Sequence, residues 1–325
     1  MFAWVAERYG SFQEVLVWRE IETPQPGPGT ALVKIRATSV SFALILRIAG
    51  KYQIKDALPF VPGSDFVGEV VAVGAGSPYR VGERIMGSLP GGAFGEYALT
   101  EADDTFSVPE EMPDADAAAY LNSYQTSYVG LADLAGLKAG EVLLVHGAAG
   151  GVGLAAIQIA KLLGATVIAT AGSAEKLEIC RSHGADHAIN YRQEDFVQRV
   201  TEITKGHGAD VIFDPVGGDV FDQSRKCIAF KGRLVVVGFA GGRISEIAVN
   251  RILLRTFFVA GFNLNAYRRH QPERLRQLQE ELLRLYSAGK LRPVISQELP
   301  LSQLKQALQL VEERLAIGKI VLVPG

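Results

Sequence analysis

Cysteine is nearly absent: Cys180 and Cys227 are the only two in 325 residues. Two isolated thiols supply neither a disulfide framework nor the Cys-x-x-Cys pairs of a structural zinc site, and such usage fits a reducing compartment. An excess of charge of one sign is also missing, since 33 basic residues face 35 acidic ones for a net charge of -2. No long-range field is therefore available to hold a nucleic-acid backbone or an anionic membrane, and a small, roughly neutral ligand fits better. Apolar stretches are broken by charges such as Lys161 or by glycine turns before they reach the roughly 18 residues of a membrane span. The opening MFAWVAERYG brings in Glu7 and Arg8 before the apolar core of a signal peptide could form. A soluble, cytoplasmic protein is expected. The chain also has no G-x-S-x-G and no Walker lysine after its glycine loop, which argues against a hydrolase.

At about 150 residues per domain, the length suggests two domains with a cleft between them. From Ala31 to Thr100 short β segments (ALVKIRATSV, GEVVAVG, ERIMGS, GEYALT) alternate with Gly and Pro punctuation. From Glu141 the rhythm changes to apolar runs alternating with helices: EVLLVHGA, TVIATA, HAINY, ADVIFDPV and RLVVVGF. That alternation predicts crossovers and a parallel sheet covered on both faces. Two amphipathic helices, around ERLRQLQEELLRLYSAG and LSQLKQALQLVEERL, and a closing strand GKIVLV are expected to return to the first domain.

The segment VLLVHGAAGGVGLAAIQIAKLLGA reads strand, small-residue turn, helix, the order of a dinucleotide-binding unit. Gly150 lets the backbone approach a pyrophosphate, Gly153 lets the helix lie close to the strand, and the helix amino terminus favours phosphate charge. Ala148 stands where the template has its first glycine, while Gly147 and Gly151 keep the turn permissive. Ala149, Gly150, Gly151, Val152 and Gly153 are the expected cofactor contacts. An NAD site wants an acid about 20 residues on, at the end of the second strand. Here that region reads ATAGSAEK, with no acid before Glu175. A carboxylate there would repel a 2′-phosphate by about 4 kcal/mol at 4 Å and an effective dielectric of 20. Charge-assisted hydrogen bonds stabilise it by about 1.5 to 3 kcal/mol each. NADPH is therefore expected, with Ser173, Lys176 and Tyr191 as 2′-phosphate ligands.

Over nearly its whole length the chain resembles the zinc-free quinone oxidoreductases of the medium-chain dehydrogenase/reductase superfamily. The resemblance lies in GKYQ, LPFVPGSDFVGEVVAVG, GERIMG, GGAFGEYAL, the glycine-loop segment, GADHAINYR, DVIFDPVGGDVFDQS, GRLVVVGFA and AIGKIVLVP. It implies an α/β protein with a GroES-like β-rich catalytic domain from both chain ends (1–124 and 265–325) and a Rossmann NADPH-binding domain (125–264). It also implies a homodimer through the edge of the Rossmann sheet, for which RTFFVAGF is the candidate. Zinc relatives carry a catalytic Cys where this chain has Ser41 and a His where it has Ser64, and neither serine is a credible zinc ligand. His183 and His187 are separated by Gly184, which is expected to end their helix, so no metal site is expected. Members show V-N-F-x-D where this chain has Val40, Ser41, Phe42, Ala43 and Leu44, so the substrate cleft is expected to be more apolar here.

The resemblance further implies that Thr126, Phe239 and Asn263 border the nicotinamide and that Lys319 lies near the cofactor. Tyr52 is the candidate to donate a hydrogen bond to a substrate carbonyl, with Ser41 as a further substrate contact. His146 reads as a satisfied turn histidine rather than an acid. The expected activity is hydride transfer to quinones or related small electrophilic carbonyl compounds. The alternatives are reduction of an activated carbon-carbon double bond, as in enones and acrylates, and an NADPH-binding structural or RNA-associated role.

Overall fold

Residues 33–37 alternate, with Val33, Ile35 and Ala37 buried and Lys34 and Arg36 exposed, the period of a strand with one face on a core, and both ends of the stretch 31–39 are buried. In the computed structural model, which describes residues 1–53, 55–101 and 105–325, they form a central strand. Preceding them, β1 (Phe2–Ala6) and β2 (Leu16–Glu20) pair as an antiparallel ribbon. The stretch Ala31–Ser39 is β3, followed by β4 (Asp65–Val73), β5 (Arg84–Ser88), β6 (Tyr97–Thr100) and β7 (Thr105–Ser107). The six parallel strands come next: β8 (Val142–Val145), β9 (Thr166–Ala171), β10 (His187–Asn190), β11 (Ala209–Asp214), β12 (Ile228–Val236) and β13 (Phe258–Gly261). Near the carboxyl end, β14 (Ile295–Pro300) and β15 (Lys319–Val323) join the first sheet, whose order is β14-β15-β3-β4-β5-β7 with β6 also on β3.

The chain divides into two units, Met1–Asn122 with Arg292–Gly325, and Ser123–Leu291. The β-rich unit is thus built from both chain ends, and the α/β unit carries the parallel sheet in the order β10-β9-β8-β11-β12-β13. Both borders differ from those read in the sequence. The first falls inside one continuous helix, Asp114–Tyr128, where no turn residue marks it. The second lies after Leu291 rather than at 264/265. The helix Pro272–Ser287 buries Leu275, Leu278, Leu282 and Tyr286. Its Gln279 accepts a 3.1 Å hydrogen bond from Gln125, and Arg274 pairs with Asp133, so it stays with the second unit.

One apolar core in the first unit gathers Trp4, Phe12, Leu44, Ile48, Phe94, Leu304 and Leu322. The indole of Trp4 donates to the Leu301 carbonyl at 2.8 Å, which ties the two chain ends together. In the second unit Leu144, Ile168, Ile189, Ile212 and Leu234 come from adjacent strands of the sheet and share another core. Among the described residues, no helix is long and apolar enough to cross a membrane.

Candidate active site

The parallel sheet grows from β8 outward to β9 and β10, then returns to the other side of β8 for β11, β12 and β13. The switch point is therefore between β8 and β11, where open α/β sheets bind ligands beyond the carboxyl ends of their strands. The glycine turn leaves β8 at that point. His146 N-H donates to the Phe213 carbonyl of β11, and Ala148 N-H to the Thr170 carbonyl of β9. Gly147 takes a positive φ of 55° beside Pro215 and Val216.

The turn is built for a close backbone approach. A Cβ at Gly153 would stand 2.5 Å from the Gly147 carbonyl oxygen and 2.6 Å from that of Ala148. A Cβ at Gly150 would meet only the Gly147 oxygen, at 3.3 Å. Gly153 thus seats the helix Gly151–Leu162, whereas Gly150 leaves open space over the turn. That helix starts with no side chain capping it, so its first amides are left for an anion. Ala149 lies in the turn and Val152 in the first turn of the helix, and the Val152 carbonyl accepts from Ser127, the neighbour of Thr126, at 2.7 Å.

At the end of β9, Ser173 caps the helix Ala174–Ser182 by accepting from Lys176 N-H, and its own hydroxyl hydrogen remains available. Glu175 lies inside that helix. Tyr191, directly after β10, folds back so that its hydroxyl would be 2.8 Å from a Cβ at Gly172, and Arg192 Nε would be 3.1 Å from the same point. The Arg192 guanidinium makes no ion pair or hydrogen bond among the described residues. Sequence reasoning passed over Arg192, although it follows Tyr191 directly in NYR. Phe239, beyond β12, lies 2.9 Å from where a Gly217 side chain would begin, and Asn263, beyond β13, caps the helix Leu264–His270. These residues share the carboxyl edge of the sheet, and the turn, its uncapped helix and the acid-free strand end fit a dinucleotide.

Two buried side chains beneath this edge do structural work. The ring of His146 is bracketed by Thr170 at 3.0 Å and Ser224 at 2.8 Å, and burial pushes its pKa down to about 3. It is a satisfied histidine, as the sequence suggested. Asp214 is the second, and the sequence reading missed it. Its Oδ1 accepts from Val216 and Gly217 amides at 2.8 and 2.9 Å, while burial raises its carboxyl against those two bonds. The signal for it was the DPVGG text, an Asx-type turn with two glycines.

In the first unit, Ser41 precedes the helix Phe42–Ile48 without capping it, and neither its hydroxyl nor that of Tyr52 has a hydrogen-bond partner among the described residues. Leu44, at the last position of the V-N-F-x-D pattern, is 3% exposed and packs in the apolar core of the first unit. Lys319, at the start of β15, is buried with Nζ 3.6 Å from Asp65 Oδ2. Burial lowers its pKa, against the pull of the Asp65 carboxylate. Asp65 Oδ1 is also buried and has no partner among the described residues. The helix bearing His183 ends there, Gly184 turns at φ 110°, and His187 lies in β10. Among the described residues no three His, Cys, Asp or Glu side chains are grouped to hold a metal ion.

Comparison with known proteins agrees with this geometry. Residues 151–283 match the family model for zinc-binding dehydrogenases, and residues 27–110 match that for the GroES-like domain of alcohol dehydrogenases. A quinone oxidoreductase-like protein 2 homolog from Nematostella vectensis is 38% identical over 95% of this chain and 85% of its own. The structure of Escherichia coli quinone oxidoreductase complexed with NADPH superposes with a TM-score of 0.93 at 30% identity, covering 100% of both chains. A 2-haloacrylate reductase superposes at 0.84 with 31% identity, over 100% of this chain and 99% of its own.

Proposed function

Because the chain belongs to the quinone oxidoreductase-like family of the medium-chain dehydrogenase/reductase superfamily, we propose that it is an NADPH-dependent reductase of quinones or related small electrophilic carbonyl compounds. Membership makes it an NAD(P)-dependent oxidoreductase. The choice of NADPH rests on one observation: the end of β9 offers no acid, and Tyr191 and Arg192 lie together over Gly172. A 2′-phosphate placed there meets a hydroxyl and a guanidinium instead of a carboxylate, with Ser173 and Lys176 beside it.

NADPH, when bound, supplies the hydride. The protein's part is positioning. The amides of the turn from Ala149 to Gly153 receive the pyrophosphate, and Thr126, Phe239 and Asn263 border the nicotinamide, with Lys319 as a further cofactor contact. Tyr52 donates from its free hydroxyl to the acceptor oxygen as charge develops there, and Ser41 offers a second hydroxyl. Acceptors that are already electrophilic suit a site whose Ser41 and Ser64 stand where zinc relatives carry metal ligands.

A second reading is reduction of an activated carbon-carbon double bond, which the likeness to a 2-haloacrylate reductase favours. NADPH and NADH oxidation against a panel of quinones, enones and an acryloyl thioester separates the two. Turnover of quinones, preferring NADPH, is expected; a response to alkenes alone would give the second reading its place.

A homodimer is part of the same proposal. Among the described residues strand β13 pairs only with β12, and its Phe258 and the nearby Leu253 and Leu254 are exposed. A second copy meeting this edge would cover both the unpaired strand and the apolar side chains. Sedimentation of the wild type and of Leu254→Glu tests it, with loss of the dimer expected in the variant. The two unpaired, buried thiols suit a cytoplasmic location.

A further inference from the structure

The segment from Gly50 to Asp56 carries Tyr52, and a single side chain holds both of its ends. Gly50 follows the helix Phe42–Ile48 at φ 68°, and a Cβ there would be 2.8 Å from Cγ of Tyr9. The base of the Tyr9 side chain, Cβ, Cγ and Cδ1, therefore packs against the backbone of the first end. Its hydroxyl reaches the other end and donates to the Asp56 carbonyl at 2.5 Å. Asp56 is held again through its side chain: Arg47, on the preceding helix, donates Nε to Oδ2 at 2.7 Å and pairs with Oδ1. The same guanidinium bonds the Pro90 carbonyl. Arg47 and Asp56 are only 11% and 15% exposed, so this pair is shielded far better than a surface ion pair. Between the two tied ends, the Tyr52 hydroxyl has no partner among the described residues.

We propose that Tyr9, backed by the Arg47–Asp56 pair, is a positioning residue for acceptor recognition, fixing the loop so that the Tyr52 hydroxyl is presented to the acceptor oxygen. This rests on the role given to Tyr52 above. A donor on an untethered loop would have to be ordered at each binding event, and that cost would appear in acceptor affinity. The clamp removes most of that cost beforehand.

The test uses the full chain with 1,4-benzoquinone as probe at saturating NADPH. Tyr9→Phe keeps the ring on Gly50 and loses only the bond to Asp56. It is expected to speed amide hydrogen exchange at residues 50–53 and 55–56 and to raise the quinone KM about fivefold, leaving kcat and the NADPH KM within about twofold. Asp56→Asn, which weakens the pairing to Arg47, should act in the same direction. Tyr52→Phe is expected to raise the same KM, and adding Tyr9→Phe to it should raise it little further, because both act through one hydroxyl. Unchanged exchange in Tyr9→Phe, with the Tyr52→Phe effect intact, overturns the clamp and leaves the Tyr52 assignment standing. A quinone KM that Tyr52→Phe does not move removes that assignment and this proposal together. Fully additive effects also overturn the proposal, since Tyr9 would then act elsewhere.

Discussion

The hydroxyl of Tyr191 occupies the space that a side chain at Gly172 would need, with only 2.8 Å between it and the position of a Cβ there. The neighbouring Arg192 Nε is 3.1 Å from the same point. A glycine at the end of β9 therefore lets two polar groups from the next strand end close over the backbone. Gly172→Ala pushes both outward. Because both contacts are far ends of long side chains, the thermal midpoint should move by no more than about 2 °C. Losing one charge-assisted bond, about 1.5 to 3 kcal/mol, should lower kcat/KM for NADPH by about ten- to a hundredfold and leave NADH nearly untouched. The ratio of the two specificity constants measures it.

Replacing the cap residue sharpens the charge argument. Aspartate is as good a helix cap as serine, so Ser173→Asp keeps the helix Ala174–Ser182 in place. It adds the carboxylate that an NAD site uses. Repulsion of about 4 kcal/mol at 4 Å and an effective dielectric of 20 would reverse the preference, so NADH should become the better donor. Arg192→Gln should weaken NADPH in the same assay without improving NADH. If both variants kept the wild-type preference, the 2′-phosphate would have to lie elsewhere.

His146 should show itself in stability rather than in the rate profile. Its folded pKa is held near 3 by burial, below the ordinary 6.5. The unfolded chain therefore binds the proton first, and the stability this group contributes is whole above pH 6.5 and is lost as pH falls toward the folded value. His146→Asn removes that linkage. The midpoint of the wild type should begin to fall below about pH 6.5, while that of the variant, lower overall, should stay flat until the carboxylates titrate. Thermal melts from pH 8 to 4 decide it.

The parallel sheet was legible because helix and strand periods alternate without interruption from Glu141 to Phe239, and the four β segments after Ala31 were legible because glycines and prolines bound them. The ribbon of β1 and β2 was not read, because its Trp4, Ala6 and Leu16 pack into a core that includes Leu301 and Leu304, almost 300 positions away. The core position of Leu44 was hidden for a related reason. A departure from a motif shows that a polar group is gone but not whether its replacement faces solvent or core, and here it faces the core. Arg192 and Asp214 stayed hidden because their partners are backbone groups and space rather than a recognisable side-chain pattern.

The two glycines of the cofactor turn should fail in different ways. At Gly153 an added methyl meets backbone oxygens at 2.5 and 2.6 Å, atoms that cannot swing aside, so the helix Gly151–Leu162 must back away from β8. Overpacking of this kind costs about 1 to 3 kcal/mol, and Gly153→Ala should lower the thermal midpoint by roughly 5 °C as well as weaken NADPH. At Gly150 the backbone has φ -83°, which any residue adopts, and the new methyl meets one oxygen at 3.3 Å. Gly150→Ala should therefore melt within about 1 °C of the wild type. Its methyl, however, stands in the space over the turn where the pyrophosphate has to approach the amides, so NADPH affinity should drop about tenfold. Melting curves and nucleotide fluorescence titrations on the two variants separate the roles. Wild-type affinity in Gly150→Ala would mean that the pyrophosphate does not lie over this turn.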